Sequence, residues 1–495
     1  MGRRSRDGMS GWHGKLDVAL GAVVLFVAAY APWGANTKVP WLTWVLVGAC
    51  WAAGILWLAT TGVRWASGGE AEEAGSGAAR RGMAWRWTMG GMLVLMAALA
   101  GQIAVSAWNW TAVATVVPDG IEWKYREAME GWPTTLDRDA TWAAWVRYLG
   151  LAGFFWAARG WLGRRDGGRD LRTGVAGSHV SERMRRVIWA WALGGGLMAL
   201  VGIVHRLDKG KELLWLMPLK DTPNEAMFGS FPYRANAGQY FNLTWPMVLG
   251  AWWVLRERGF DSAGHRRPVG ASSFLVVCVA LMIAGVFTAA SRMAIAVALV
   301  QMTLSVFLLG ATARSWGARI ALAGGLLLAL TLGWLAQGDF LRKRFENALV
   351  DTTLSGRTSI YGYARPMAER FPMWGWGAEA FRTAGELHRS GFHGNPEYVH
   401  DDRLETRGGL GWVGAGLVLG LLSLVPVLAW TGGTSGCPGA VRWGGAMGLG
   451  GMLVHGCVDY PFQVPSLQVA WVLMAAVLVA ARWRRGSSMG RSGQA

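Results

Sequence analysis

Cysteine is nearly absent, with four in 495 residues. Cys50, Cys278 and Cys457 lie inside apolar runs and Cys437 in a short Gly-rich connector, so no pair has the spacing of a metal site or a disulfide framework. Redox chemistry is therefore not expected. Charge is scarce too: 16% of residues are Asp, Glu, Lys or Arg, against about 25% in a soluble globular protein. A disordered chain would be rich in charge and poor in aromatics, so that class is excluded as well. Acids are the scarcer sign, 31 against 48 bases, which leaves a net charge of +17. No tandem repeat stands out, and no soluble domain of about 100 residues or more is evident.

What fills the chain instead is apolar: 53% hydrophobic residues, 32 Trp and a mean hydropathy of +0.26. The apolar residues fall in blocks of about 20, the length that crosses a ~30 Å hydrocarbon layer as a helix. Breaking these blocks at charge clusters, Pro and Gly-rich stretches predicts spans near 16–31, 41–61, 87–107, 141–158, 187–204, 237–255, 272–290, 293–311, 320–336, 409–430, 443–458 and 466–481. The expected fold is an all-α polytopic membrane protein of about twelve transmembrane helices. The basic Arg3-Arg4-Ser5-Arg6 start resembles a signal sequence, but no convincing small-residue cleavage site follows, so it reads as an uncleaved first span.

With both termini cytoplasmic, the cytoplasmic segments carry nearly all of the basic excess and the outer segments are close to neutral. The +17 is then an orientation signal, and nucleic acid is not an expected partner. Five parts follow: helices 1–5 over 1–224, helices 6–9 over 225–336, one large outer loop over 337–408, helices 10–12 over 409–485, and a cytoplasmic tail over 486–495. The inner loops around 67–82 and 166–181 mix Gly, Ser and charge and read as linkers. The outer segments around 108–140, 205–236 and 337–408 interleave aromatics, Pro and charge, so chemistry is expected on the outer face.

Four outer clusters can carry it. Phe228 to Pro246 delivers Arg234, Asn236, Gln239 and Asn242 to a helix mouth; Asn236 either caps that helix or, with the others, lines a polar cavity. Ser291-Arg292 sits between two apolar runs, where the Arg either snorkels to the interface or holds an anion. The long loop holds Arg357, the run Pro372 to Phe381, and His400-Asp401-Asp402, which reads as a general base, a hard-cation site or a solvated turn. His455 and Asp459, four apart, share one helix face and point at neighbouring helices as a structural bond or a catalytic pair.

In this order the clusters resemble the bacterial O-antigen ligase and polymerase family over about residues 225–480. The carrying segments are Arg234-Ala-Asn-Ala-Gly-Gln-Tyr240 with Pro246, Ser291-Arg292, Arg357, Pro372-Met-Trp-Gly-Trp-Gly-Ala-Glu-Ala-Phe381, His400 to Glu405 leading to Gly411-Trp-Val-Gly414, and His455 with Asp459. Departures are Ala235 between the Arg and the Asn, Asp401 where Asn or Ser is usual, and Gly409 where a Glu is expected, which leaves Asp402 and Glu405 as the nearby carboxylates.

The resemblance implies a GT-C-like membrane glycosyltransferase in the bacterial inner membrane with a periplasmic loop. It would move a glycan from an undecaprenyl-diphosphate carrier to a hydroxyl of a glycan, a lipid A core or a protein. It further implies Arg234, Arg292 and Arg357 as diphosphate contacts, His400 as general base with Asp402 orienting it, and Asn236, Ser291, His455 and Asp459 in support. No metal and no cofactor are implied. Trp374 and Trp376 either stack on sugars or anchor at the interface. A polytopic transporter or flippase of lipid-linked glycans is the alternative from another class, and a catalytically degenerate relative, motivated by Gly409, is a third.

Overall fold

Long apolar runs with few breakers have one stable solution in lipid, the α-helix, because it satisfies every backbone group within the segment. The computed structural model describes residues 2–480 apart from 35–38, 67–78, 118–119, 165–179, 220–221, 224–225, 258–272, 314–315, 318, 321, 332–334, 336–353, 389–395 and 431–437. The two inner linkers, Cys437, the tail and the start of the long loop thus fall wholly or largely outside the described residues.

The helices are α1 (Gly2–Tyr30), α2 (Pro40–Ala66), α3 (Ala79–Trp108), α4 (Arg138–Gly163), α5 (Glu182–Leu207), α6 (Arg234–Glu257), α7 (Phe274–Ala289) and α8 (Arg292–Thr312). They continue with α9 (Leu322–Thr331), then α10 (Leu354–Arg370), α11 (Phe381–His388), α12 (Asp402–Trp430), α13 (Gly439–Gly456) and α14 (Pro465–Ala480). Every predicted span overlies one of them. Six helices among the described residues, α1, α2, α3, α5, α8 and α12, are long and apolar enough to cross a membrane, and α7, α9 and α14 are shorter apolar helices. The protein is an integral membrane protein. Leu193, Leu197, Leu200, Leu299, Val300 and Phe307 are exposed on α5 and α8, as lipid-facing residues must be.

One element departs from the all-α expectation. The segment between α3 and α4 forms an antiparallel hairpin, β1 (Ala112–Val117) with β2 (Gly120–Tyr125), paired from Ala112–Tyr125 to Val117–Gly120. Its β-branched Val113, Thr115, Val116 and Val117 favour the extended chain over a helical turn.

The seam between α6 and α13 fixes the site's scaffold. A Cβ built on Gly250, Gly444 or Gly448 would lie 2.3, 2.3 and 2.1 Å from the carbonyl oxygens of Ala440, Pro246 and Leu243. Only glycine admits backbones this close, as in small-residue interfaces between membrane helices. The pairing is antiparallel and brings the C-terminal end of α13 to the N-terminal end of α6. Helix α8 runs parallel to α6: Gly238 faces Ala294, and Asn242 Nδ2 donates to the Ala294 carbonyl at 2.7 Å. Pro246 lies inside α6 and cannot donate to the Asn242 carbonyl one turn before it. Gln301 of α8 replaces that donor, its Nε2 reaching the Asn242 oxygen at 3.0 Å and the Met447 oxygen of α13 at 2.9 Å. A helix-breaking Pro is thereby tolerated, and the repair ties three helices together.

A second, smaller core forms outside the bundle, where Ile360, Ala364, Met367, Trp376, Phe381 and Val399 pack α10 and α11 together. Helix α12 is broken at Gly411, whose φ of +66° and ψ of −173° no side chain adopts comfortably. The Gly411 break separates a short first piece, from Asp402 to Leu410, from the longer apolar remainder of the helix.

Candidate functional site

Helix ends gather at one pole. Arg234 opens α6 and Arg292 opens α8, and the two helices are parallel, so two helix N-termini with their partial positive charge stand beside each other. The end of α13, the start of α12 and the start of α10 close on the same region through a single carboxylate, Asp459.

Asp459 is almost fully buried and engaged on every side. Its Oδ1 lies 3.2 Å from His400 Nδ1 and accepts the Tyr460 backbone N–H at 3.1 Å. Its Oδ2 accepts from the Tyr233 hydroxyl at 3.4 Å and lies 3.8 Å from His455 Nε2 and 3.9 Å from an Arg357 nitrogen. Arg357 also donates to the Val458 carbonyl at 2.6 Å. Burial would raise the Asp459 pKa. The hydrogen bond from His400 and the positive potential of His455, His400 and Arg357 outweigh it and hold the carboxyl below its ordinary value. In return Asp459 overcomes the effect of burial on Arg357 and keeps its pKa raised.

His400 has a left-handed backbone, φ +62°, a conformation unusual for any residue but glycine and found at functional sites when surroundings enforce it. Here they do: the Tyr361 hydroxyl donates to the His400 carbonyl at 2.9 Å, and Asp402, two residues on, donates its N–H to the Asp459 carbonyl at 3.1 Å. A carboxylate at Nδ1 puts the ring proton there and leaves the Nε2 lone pair available. The His400 side chain is 23% exposed and Asp459 4%. Solvent and ligands therefore meet the imidazole, with the carboxylate behind it.

Three tyrosines frame this pair. Tyr460 stacks between Tyr398 at 4.4 Å and Tyr233 at 5.6 Å, and His400 meets the Tyr460 ring edge-on at 4.7 Å. Burial and the neighbouring Asp459 raise the Tyr460 and Tyr233 hydroxyl pKa values, so both are neutral donors.

The expected orienting residue for His400 was Asp402, and the geometry differs. The Asp402 carboxylate turns to the loop after α13, accepting the Phe462 N–H at 2.9 Å and Gln463 Nε2 at 3.0 Å. Glu405, the other carboxylate near Gly409, caps the Val399 N–H at 2.5 Å. Both hold the turn that presents His400; the partner on the imidazole is Asp459. Spacing could not reveal this, since residues 400 and 459 meet only through the fold. Asn236 lies within the first turn of α6, which begins at Arg234, so it is not the N-cap. Asn236 Oδ1 and both amide atoms of Gln239 are buried without hydrogen-bond partners among the described residues, which fits a polar cavity better than a cap. Arg234 is buried, Arg292 exposed, and Ser291 precedes α8 without a capping side-chain bond. Trp376 is 1% exposed and serves the outer core, so it cannot stack on a sugar; Trp374 is half-buried and donates to the Gly131 carbonyl at 2.8 Å.

Sequence reasoning missed Tyr233, Tyr361, Tyr398 and Tyr460, although Tyr233 and Tyr460 directly adjoin two of the chosen residues. It also missed a partner for Arg147, a charge inside α4. Arg147 pairs with Glu379 of the segment between α10 and α11, and Thr141 of the same helix donates to the Ala378 carbonyl at 3.0 Å. The run Pro372 to Phe381 is thus a clasp. Trp376 bonds the Gly408 carbonyl at 2.8 Å and its own carbonyl receives the Leu136 N–H at 2.9 Å, tying α4's approach to α12.

Residues 277–419 match the family model described as O-antigen ligase. No curated protein matches the chain.

Proposed function

We propose, from the O-antigen ligase domain carried by residues 277–419, that the protein is a membrane glycosyltransferase. It transfers or polymerises a glycan from an undecaprenyl-diphosphate carrier onto an acceptor hydroxyl at the periplasmic face of the inner membrane. The observation that carries this reading is the His400–Asp459 pair beside Arg357, at the pole where Arg234 and Arg292 open two helices.

In this reading His400 Nε2 takes the proton from the acceptor hydroxyl as that oxygen bonds to the sugar's anomeric carbon. The bond from that carbon to the diphosphate oxygen breaks, and the diphosphate leaves with the electron pair. Asp459 fixes the imidazole and stabilises the imidazolium. The developing charge on the leaving group faces Arg234, Arg292 and Arg357, with the amide ends of α6 and α8 adding to their field. Asp402 and Glu405 act through the turn that carries His400, and Gly409 packs against the Gly377 carbonyl, 3.2 Å from where a Cβ would stand. The twelve-span topology with cytoplasmic termini belongs to the same proposal.

The test is glycan transfer in membranes supplied with lipid-linked donor. His400→Ala and Asp459→Asn should abolish or strongly reduce transfer at normal protein levels, while Trp374→Phe should not. Wild-type product from both His400→Ala and Asp459→Asn would overturn the assignment.

A further inference from the structure

We infer that a groove between α1 and α5, at the end of α5 remote from the proposed transfer site, binds an anionic phospholipid. The groove has a volume of about 810 Å³ and is walled by Leu25, Phe26 and Ala29 of α1 and by Trp189 and Leu193 of α5. Arg185 and Arg186 stand at its mouth beside Glu182. Both walls belong to helices long and apolar enough to cross a membrane. The occupant must therefore have an apolar tail that lies among lipid chains and a head that ends at Arg185 and Arg186.

The charge at the mouth specifies that head. Glu182 is shared by Arg185 at 2.6 Å and Arg186 at 3.2 Å. Just across, Asp17 of α1 is shared by Arg164 and Arg183, the latter at 2.7 Å. Among the described residues two carboxylates thus serve four guanidinium groups, so positive charge is in excess there at a membrane boundary. Arg185 and Arg186 have half-exposed side chains and lie in the first turns of α5, where the helix end adds partial positive charge. A phosphodiester offers the oxygens that guanidinium forks match. From Arg186 to Leu193 the groove descends about 10 Å at 1.5 Å per residue, the depth of the upper part of an acyl chain. It closes where Gly194 meets Ala29, whose carbonyl oxygen lies 2.9 Å from a Cβ built on that glycine. By the basic-side rule this is the cytoplasmic leaflet, whose anionic lipids draw basic residues.

The inference is independent of the proposed reaction, and its test does not use activity. Full-length protein is purified and the retention of phosphatidylglycerol is measured against phosphatidylcholine by native mass spectrometry. Wild type should retain phosphatidylglycerol preferentially. Arg185→Gln/Arg186→Gln should lose about 30-fold in that preference, about 5-fold per guanidinium. Ala22→Trp, which fills the groove without changing charge, should lose it as well, and Arg185→Lys/Arg186→Lys should keep most of it. The unfolding midpoint of each purified variant in detergent, close to that of wild type, reports intact folding. Equal retention of the two lipids by wild type, or unchanged preference in both the Gln and the Trp variants, would overturn the inference. So would equally tight binding of soluble glycerophosphoglycerol, which has no tail to place.

Discussion

Neutralising Glu379 should be worse than deleting the whole ion pair to which it belongs. Arg147 is 8% exposed within the bundle, and Glu379 is the carboxylate paired with it. Glu379→Gln removes the charge and strands a guanidinium where water is scarce, a loss of about 3–5 kcal/mol for a broken buried pair. Replacing both partners by apolar side chains of similar size, Arg147→Met/Glu379→Leu, removes the desolvation of two ions together with their attraction. That change is typically neutral or stabilising by about 1–4 kcal/mol. Glu379 also has a left-handed backbone, φ +58°, a strain of about 1–3 kcal/mol for a residue with a side chain. The strain is common to Glu, Gln and Leu at that position and cancels from the comparison. The assay is the unfolding midpoint of purified protein in detergent for wild type, both single variants and the double. The singles should unfold well before wild type and the double close to it, a coupling of several kcal/mol. Single losses that simply add in the double would refute the clasp between α4 and the outer loop.

Gln301→Leu should destabilise by about 1–3 kcal/mol, because the carbonyl freed by Pro246 is then buried without a donor; the same unfolding assay reads it. Gly448→Ala places a methyl 2.1 Å from the Leu243 oxygen and should cost about 1–3 kcal/mol or prevent accumulation in the membrane. Asp459→Asn should lower transfer about 10²–10⁴-fold, the span of general-base catalysis, with donor KM changed far less, measured by initial rates. The Asp459 carboxyl, held below its ordinary value of 3.8, stabilises the fold above that pH, and the contribution is lost as pH falls through the lower folded value. His400→Ala removes the leading contact that depresses it, so the acid-unfolding midpoint should move to higher pH.

The scaffold was legible and the wiring was not. Apolar runs of about 20 residues announce helices because lipid leaves the backbone no other partner, so each predicted span overlies one. The hairpin at Ala112–Tyr125 was obscured by its Trp and charge. Arg234, Arg292, Arg357, His400, His455 and Asp459 stood out as polar groups at helix mouths, where their presence needs a reason. His400, His455, Arg357 and Asp459 indeed converge. Which carboxylate serves His400 was not legible, since Asp402 is two residues away and Asp459 arrives from another helix. The backbone decides: the left-handed turn at His400 sends Asp402 toward Phe462 and the imidazole toward Asp459.

The glycine seam has a consequence for where such a protein can work. Bilayers differ in thickness, and a membrane helix adapts by tilting, which would slide functional groups on separate helices past one another. Helices α6 and α13 meet carbonyl against glycine at three levels, between Leu243 and Gly250 of α6 and between Ala440 and Gly448 of α13, so they can tilt only as one plank. Arg234 and Asp459 ride the same end of it. Their spacing should stay constant from thin to thick membranes, leaving the depth of the pole in the lipid as the quantity that varies.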